Sequence, residues 1–405
     1  MPSFIYRVRD KSGRVFSGIL EADNVRSLRK KLHDLGYYVV SITSAERKRK
    51  LSFFEKKINL DTLFTFTHQL SSMIEAGLPI LMSLDILWRE IDHPKMQVVI
   101  SQIRNELSEG KSLSEAVEKF PQVFPLMYRT LLKVAETGGG LVIILKKITQ
   151  YLQKQKEFIT KVKRATTYPL IVIAIAITVV ILMLVGVVPT FQRVFRMMKV
   201  ELPLLTTIVI TISRIMRTPY FWLIAIGGTI VLYFLYRHLR EKPHTGLLID
   251  RMKLRIPVLG RIIYLASLGR FTRSLSLLVG GGLPVAESME VATQTVVNKK
   301  LEHSLDWVKR RIVEGVALNE ALRETHTFPT ILVEMIAVGE QSGTLAEMLE
   351  KVANHFEEEL DIRVNKFLTL LEPLLIVFVG GIVVFVLLSV YLPIIKLWQV
   401  LGQRG

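Results

Sequence analysis

FTHQLSSMIEAGLPILMS, residues 66–83, returns 205 residues later as FTRSLSLLVGGGLPVAES, residues 271–288. Phe66, Thr67, Leu70, Ser71, Gly77, Leu78, Pro79 and Ser83 recur in register as Phe271, Thr272, Leu275, Ser276, Gly282, Leu283, Pro284 and Ser288. Further on, Gly110, Leu113, Glu115 and Ala116 come back as Gly315, Leu318, Glu320 and Ala321. After a one-residue slip, Glu136, Gly139 and Leu141 come back as Glu340, Gly343 and Leu345. Pro169 and Pro373 then open long uncharged runs. An internal repeat of this kind sets the architecture before any local reading does. The chain is a duplicated module, and each copy leads into apolar sequence.

Within each copy the apolar period is helical. Leu63, Phe66, Leu70, Met73 and Ile74 share one face behind an Asn59 cap, and Gly77 ends the helix before Pro79 starts the next. A third helix follows His93-Pro94. Ser112-Leu113-Ser114-Glu115 has the form of a capping box, and Phe120-Pro121 and Phe124-Pro125 break the chain again. A last helix runs from Leu141 to about Arg164. The second copy follows the same course from Ala266 through Leu283-Pro284, Asn319-Glu320 and Phe328-Pro329 to a helix over Leu345 to Glu372. Each copy therefore predicts a bundle of about six helices.

Half of the 405 residues are apolar although 22% are charged, so the two classes must be segregated. Ala165–Gln192 has 28 residues without a charge, Thr218–Tyr236 has 19 and Pro373–Ile395 has 23. A bilayer core needs about 20 apolar helical residues, so three crossings are predicted, with the termini on opposite sides. The 12-residue run Leu202–Ser213 is too short to cross and reads as a surface or reentrant helix. Thirteen Lys and Arg flank the crossings on the side of the large domains and seven lie opposite. This bias places both copies in the cytoplasm. The net charge of +17 is then assigned to anionic lipids and partner contacts ahead of nucleic acid. The first 50 residues contain no apolar core of a cleavable signal.

Residues 3–43 read differently. Phe4 to Arg9 and Val15 to Leu20 alternate around Asp10-Lys11-Ser12-Gly13, a hairpin pattern. Asp23-Asn24 can cap a helix through Leu35, and Tyr37 to Ile42 forms a third strand. A mostly basic run, Glu46 to Lys50, links this appendage to the first copy.

The chemistry of known catalytic sites is missing from the sequence. There is no cysteine, hence no thiolate chemistry or disulfide. Gly138-Gly139-Gly140 and Gly280-Gly281-Gly282 lack the preceding strand and following Lys of a phosphate cradle, and no His-Glu-x-x-His is present. Glu136 and Glu340 admit two readings, a metal or partner contact and a carboxylate on the amides of a helix start. The second is the common arrangement and fits better, and a metal at the first copy is further disfavoured because no carboxylate lies between Thr137 and Lys156 and hard cations need several oxygen ligands. No cofactor and no metal is expected. The three crossings carry no ionisable side chain, which argues against a transporter. The 30-residue loop from Pro189 to Thr218 is too small for a receptor's sensor domain. The copies do differ in charge: Lys146, Lys147, Lys154 and Lys156 in the first face Glu347, Glu350, Glu357, Glu358, Glu359 and Asp361 in the second. Such faces can pair within a molecule or between molecules.

The twin Ala76-Gly77-Leu78-Pro79 and Gly281-Gly282-Leu283-Pro284 turns carry a resemblance. So do Glu136-Thr137-Gly138-Gly139, Gly339-Glu340-Gln341-Ser342-Gly343, Glu372-Pro373-Leu374 and Tyr391-Leu392-Pro393-Ile394. Together they resemble the type II secretion system F family, the inner-membrane platform proteins of type II secretion and type IV pilus assembly. The resemblance covers nearly the whole chain. It implies a non-enzymatic scaffold, multi-pass in the bacterial inner membrane, that couples a cytoplasmic hexameric ATPase to extraction and assembly of pilin or pseudopilin subunits. Implied partners are that ATPase, other inner-membrane assembly proteins and further copies of the chain. The fold class so expected is an all-α membrane protein: two homologous cytoplasmic six-helix bundles, three transmembrane helices and a small N-terminal α+β appendage. Its expected divisions are 1–45 (appendage), 59–168 (first bundle), 169–189 (first crossing), 190–217 (external loop), 218–236 (second crossing), 237–372 (second bundle), 373–395 (third crossing) and 396–405 (external tail). The turn residues Gly77, Pro79, Glu136, Gly139, Gly282, Pro284, Glu340 and Gly343, with Pro169 and Pro373, are expected to be structural or partner contacts.

Overall fold

The computed structural model describes residues 3–9, 15–22, 24–34, 36–44, 58–187, 189 and 204–402. The expected turn at Asp10–Gly13, the linker Glu46–Lys50 and the loop cations Arg193, Arg196 and Lys199 lie outside the described residues, as does Arg404.

The appendage has strands β1 (Ser3–Arg9), β2 (Val15–Glu21) and β3 (Tyr38–Ser44) with helix α1 (Val25–Asp34) between the last two. The sheet order is β2-β1-β3 and both pairings are antiparallel, with a register shift between Arg7 and Val8 against β3. Asn24 Oδ1 accepts the Ser27 amide at 2.8 Å and so starts α1. Leu28 and Leu32 bury the inner face of α1 beside Ala22, Tyr37 and Val39.

The first copy runs α2 (Leu60–Glu75), α3 (Ile80–Glu90), α4 (Pro94–Ser108), α5 (Leu113–Glu118), α6 (Leu126–Gly138) and α7 (Leu141–Leu182). A π-helical turn, Met183–Val187, continues α7. Then come α8 (Leu204–Arg217), α9 (Pro219–Glu241) and α10 (Pro243–Arg255). The second copy runs α11 (Leu259–Val279), α12 (Val285–Thr293), α13 (Lys299–Val313), α14 (Leu318–Glu324), α15 (Thr330–Ser342) and α16 (Leu345–Gly402).

The duplicated letters are duplicated turns. Gly77 and Gly282 have φ of +85° and +97°, and Gly139 and Gly343 have +73° and +72°. An L-residue rarely adopts that region, so the glycines are required where the chain reverses. Caps repeat less strictly. Asn59 Oδ1 accepts the Thr62 amide at 2.8 Å and Ser112 with Glu115 closes a capping box, whereas Ala317 stands in place of Ser112 with no side-chain cap. In the first copy the buried Tyr128 and Thr67 hydroxyls bond to each other at 3.1 Å. The counterpart of Tyr128 is Leu332, and Thr272 Oγ1 is left buried without a partner.

The two copies share one contiguous core rather than forming two separate ones: Phe66, Leu70, Phe124 and Leu145 belong to the same buried cluster as Phe271, Leu275, Leu349 and Phe356. Helix α16 packs on both α11 and α7.

Four described helices are long and apolar enough to cross a membrane by length and composition: Leu141–Leu182, Pro219–Arg240, Leu259–Val279 and Leu345–Phe385. In Leu259–Val279, however, 61% of the apolar stretch is buried inside the protein, against 6% or less in the other three. Helix α11 thus uses its apolar surface for the shared core. It begins seven residues before Ala266, where the sequence places the start of the second copy, because α10 delivers the chain to it through a turn at Pro257-Val258. The apolar run from Leu202 is helical as expected, with bounds Leu204–Arg217; it packs against the π-helical turn and α16. There the Ser213 hydroxyl donates to the Leu184 carbonyl.

Pro169 and Pro373 lie inside α7 and α16, which continue through them. At about 1.5 Å per residue these helices extend about 63 and 87 Å. Each proline removes one i to i−4 bond from an otherwise continuous rod.

Candidate coupling surface between the two copies

Two features set the position of the long helices. The first is a carboxylate clamp repeated in each copy. Glu136, at the end of α6, accepts the Leu113 and Ser114 amides at 2.5 and 3.1 Å. Glu340, at the end of α15, accepts the Leu318 and Asn319 amides at 2.9 and 3.1 Å. Those amides open α5 and α14, where the orphan N–H groups and the helix dipole favour an anion. Three residues later Gly139 and Gly343 reverse the chain into α7 and α16. The clamp therefore ties the end of α6 to the start of α5, and the end of α15 to the start of α14, just before the turn that launches each long helix. Gly77-Pro79 and Gly282-Pro284 sit apart from the clamps, at the α2–α3 and α11–α12 turns. The second of these touches the first copy, since Lys147 Nζ donates to the Gly280 carbonyl at 3.4 Å.

The second feature is a charged seam inside the molecule. Lys154 on α7 donates to Glu357 at 2.7 Å and to Asn354 at 3.1 Å on α16. Lys161 meets Asp361 at 2.9 Å. From α11, Arg273 Nε and Nη2 both reach the Glu357 carboxylate at 2.9 Å, and Arg273 also bonds to Asn354. The Arg273 side chain is 8% exposed and that of Glu357 30%. Burial alone would raise the Glu357 pKa, but the Arg273 and Lys154 bonds outweigh it and hold it below the ordinary carboxylate value. A cleft of about 660 Å³ follows the seam, lined by Tyr151, Lys154, Arg270, Arg273, Glu357 and Asp361 among others.

The opposite charges of the two copies thus meet within one chain, although only part of the expected set does so. Lys146 and Lys156 turn inward to Glu75 and Asp61 of their own copy, and Glu359 pairs with Arg261 and Arg363. Arg273 was not singled out by sequence. The one available sign was that a charge stands in the middle of an apolar face where the first copy has His68, an exposed residue.

A third fixing point, also missed, lies where α9 leaves its apolar stretch. Asp250 on α10 is 1% exposed. It accepts Lys253 Nζ at 2.7 Å and the Lys299 amide at 3.0 Å, while Lys299 Nζ donates to the Arg240 carbonyl at 2.6 Å. This joins α9, α10 and α13. Burial would raise the Asp250 pKa; the bonds from Lys253 and Lys299 outweigh it and lower it. Its stabilisation is complete above the ordinary value of 3.8 and is lost as the pH falls through the depressed folded value. Asp250→Asn is expected to cost about 1–2 kcal/mol at neutral pH and to flatten the acid limb of stability. Thermal unfolding of the solubilised protein between pH 3 and 7, roughly the range where carboxylates titrate, measures both.

The described residues hold no group of three His, Cys, Asp or Glu placed to bind a metal, and Glu136 and Glu340 are each satisfied by amides. What the arrangement can do is mechanical: it fixes two long helices relative to each other and to their bundles.

Similarity to known proteins fits this build. The family profile described as type II secretion system (T2SS), protein F matches residues 66–189 and again 271–393, the two copies with their following apolar runs. Its N-terminal domain profile matches residues 1–43. The chain is 33% identical over 402 residues to the type IV pilus assembly protein PilC of Thermus thermophilus, covering 98% of each chain. It is 34% identical over 360 residues to PilC of Pseudomonas aeruginosa, covering 88% of this chain and 96% of that one. It is 28% identical over 408 residues, covering all of both chains, to the type II secretion system protein F of Vibrio cholerae. With both copies and the appendage accounted for in this way, the chain belongs to the type II secretion system protein F family.

Proposed function

We propose that the chain is the non-enzymatic inner-membrane platform of a type II secretion or type IV pilus assembly machine. It couples a cytoplasmic hexameric ATPase to extraction of pilin-like subunits from the membrane and their assembly into a filament. Two helical units that share one core, 59–168 with α2 to α7 and 237–372 with α10 to α16, lie in the cytoplasm with the appendage 1–45. Spans at 169–189, 218–236 and 373–395 carry the chain across, leaving the loop 190–217 and tail 396–405 outside. The bundles and appendage present surfaces to the ATPase, the spans present theirs to other inner-membrane assembly proteins, pilin subunits and further copies of the chain, and the flanking cations face anionic lipids.

One observation supports this reading above the others: α7 and α16 run as single helices from Leu141 and Leu345, just past the turns that follow the clamps, into their exposed apolar runs. A helix resists bending and twisting over such lengths, so a displacement imposed on a bundle is delivered to the membrane. Gly77, Pro79, Gly282 and Pro284 shape the hairpins of the bundles, Gly139 and Gly343 launch the rods, and Pro169 and Pro373 mark where the rods meet the bilayer. Inserting Gly-Gly after Lys163 is expected to leave membrane insertion intact and to abolish filament assembly or secretion. Normal assembly by a correctly inserted Gly-Gly variant would refute rigid coupling.

A further inference from the structure

We infer that a cleft between α2 and α7 of the first copy is a binding site for the headgroup of an anionic phospholipid. The cleft, about 840 Å³, is lined by Lys156, Lys161 and Arg164 with the acidic Glu157 among them, and by Phe64, His68, Gln153 and Thr160. Residues 153, 156, 157, 160, 161 and 164 fall on one face of α7 at helical spacing, and Arg164 is the last charge before the 28 uncharged residues that begin at Ala165.

Depth is the first argument. The inference rests on the reading that α7 enters the bilayer after Arg164. Thr160 to Arg164 then spans about 6 Å of helix, the thickness of one headgroup layer at about 5–8 Å. Just beyond, Tyr168, Leu170 and Ile171 are exposed and offer apolar surface to acyl chains. A soluble phosphate compound would find the same donors but no use for that surface.

Charge is the second. Lys156 pairs with Asp61 and Lys161 with Asp361, while Glu157 accepts Gln153 Nε2 at 2.8 Å. Arg164 has no ion pair among the described residues and is exposed. Each paired ammonium has three donors and its single ion pair leaves donors for a phosphate, joined by the Thr160 hydroxyl and the Arg164 guanidinium fork. The cleft is also shaped in advance: the Phe64 ring lies 5.6 Å from the His68 ring and 4.8 Å beneath Lys156 Nζ, so Lys156 stands on an aromatic floor.

The test uses the full chain, delipidated in neutral detergent and titrated with dioleoylphosphatidylglycerol, with bound lipid counted by native mass spectrometry. Wild type should bind a first phosphatidylglycerol about twenty-fivefold more tightly than the Arg164→Gln, Lys156→Gln double variant, at about fivefold per basic residue near an anionic surface. Arg251→Gln with Arg255→Gln, two exposed cations outside the cleft, should bind as wild type. Glycerol phosphate at the same concentration should not displace the lipid. Equal binding by the cleft variant overturns the site. An equal loss in the Arg251, Arg255 control would mean diffuse attraction, and displacement by glycerol phosphate would mean a soluble-phosphate site; both overturn it too. Alkaline carbonate extraction of the same variants separates this from the reading that α7 enters the bilayer, since the chain stays in the membrane whether or not the headgroup site exists, and release of wild type would overturn the span itself.

Discussion

Replacing Glu357 with alanine is expected to lower the stability of the folded chain by about 3 kcal/mol, the low end for a broken buried ion pair. The cause is less the lost attraction than what remains. Arg273 keeps a guanidinium in a place 8% exposed, with Glu350 at 3.6 Å as its nearest remaining carboxylate. If so, removing both charges should recover most of the loss, because a methionine pair desolvates at little cost. A double-mutant cycle of Arg273→Met and Glu357→Met, read by thermal unfolding in detergent, therefore gives strongly non-additive values. Additive losses would mean that the seam contributes nothing as a pair. The pH dependence has a definite sign. The folded pKa of Glu357 is lowered from 4.5, so its contribution is complete above that value and disappears as the pH falls below it. Because the seam joins α7, α11 and α16, the alanine variant should also lose secretion or filament assembly at temperatures where the chain is still folded.

The second large effect concerns the clamps. Glu136→Ala with Glu340→Ala removes four amide bonds to carboxylates, two in each copy. Each copy should lose about 2–3 kcal/mol, and since the two clamps share no hydrogen-bond partner the losses should add. Glu→Gln at the same positions should retain part of it, since the amide oxygen still accepts one N–H, while the charge favoured at a helix N-terminus is lost. Calorimetry of the single and double variants distinguishes these cases. A double variant as stable as wild type would leave the clamps without a structural role and return Glu136 and Glu340 to the class of partner contacts.

Much of this arrangement was legible in advance. The positive-φ glycines of the two copies, Gly77, Gly110 and Gly139 with Gly282, Gly315 and Gly343, announce themselves because each occurs twice, and a turn needing a left-handed residue has few other solutions. Apolar periodicity located the helices of both copies, and alternation located the three strands of the appendage, because both patterns are local. Asn59, Ser112 and Asn24 cap the helices they precede for the same reason. Local pattern narrows the destination of Glu136 and Glu340 to helix amides, but not to which helix, since their partners lie 23 and 22 residues earlier, around Leu113 and Leu318.

By itself, then, the order of residues determined that a helical module is duplicated, where its turns fall, which stretches are apolar enough for a bilayer and that a small α+β unit precedes them. Each of those properties depends on neighbours within a few turns of chain. Tertiary structure alone decided that the copies share one core, that α11 is buried although its composition suits a membrane, and that Lys154 finds Glu357 while Lys156 finds Asp61. It also decided that Asp250 ties α9 to α13. These outcomes depend on which surfaces meet across some two hundred residues, where burial and pairing compete among many partners of similar local merit, and no periodicity in the chain records the winner.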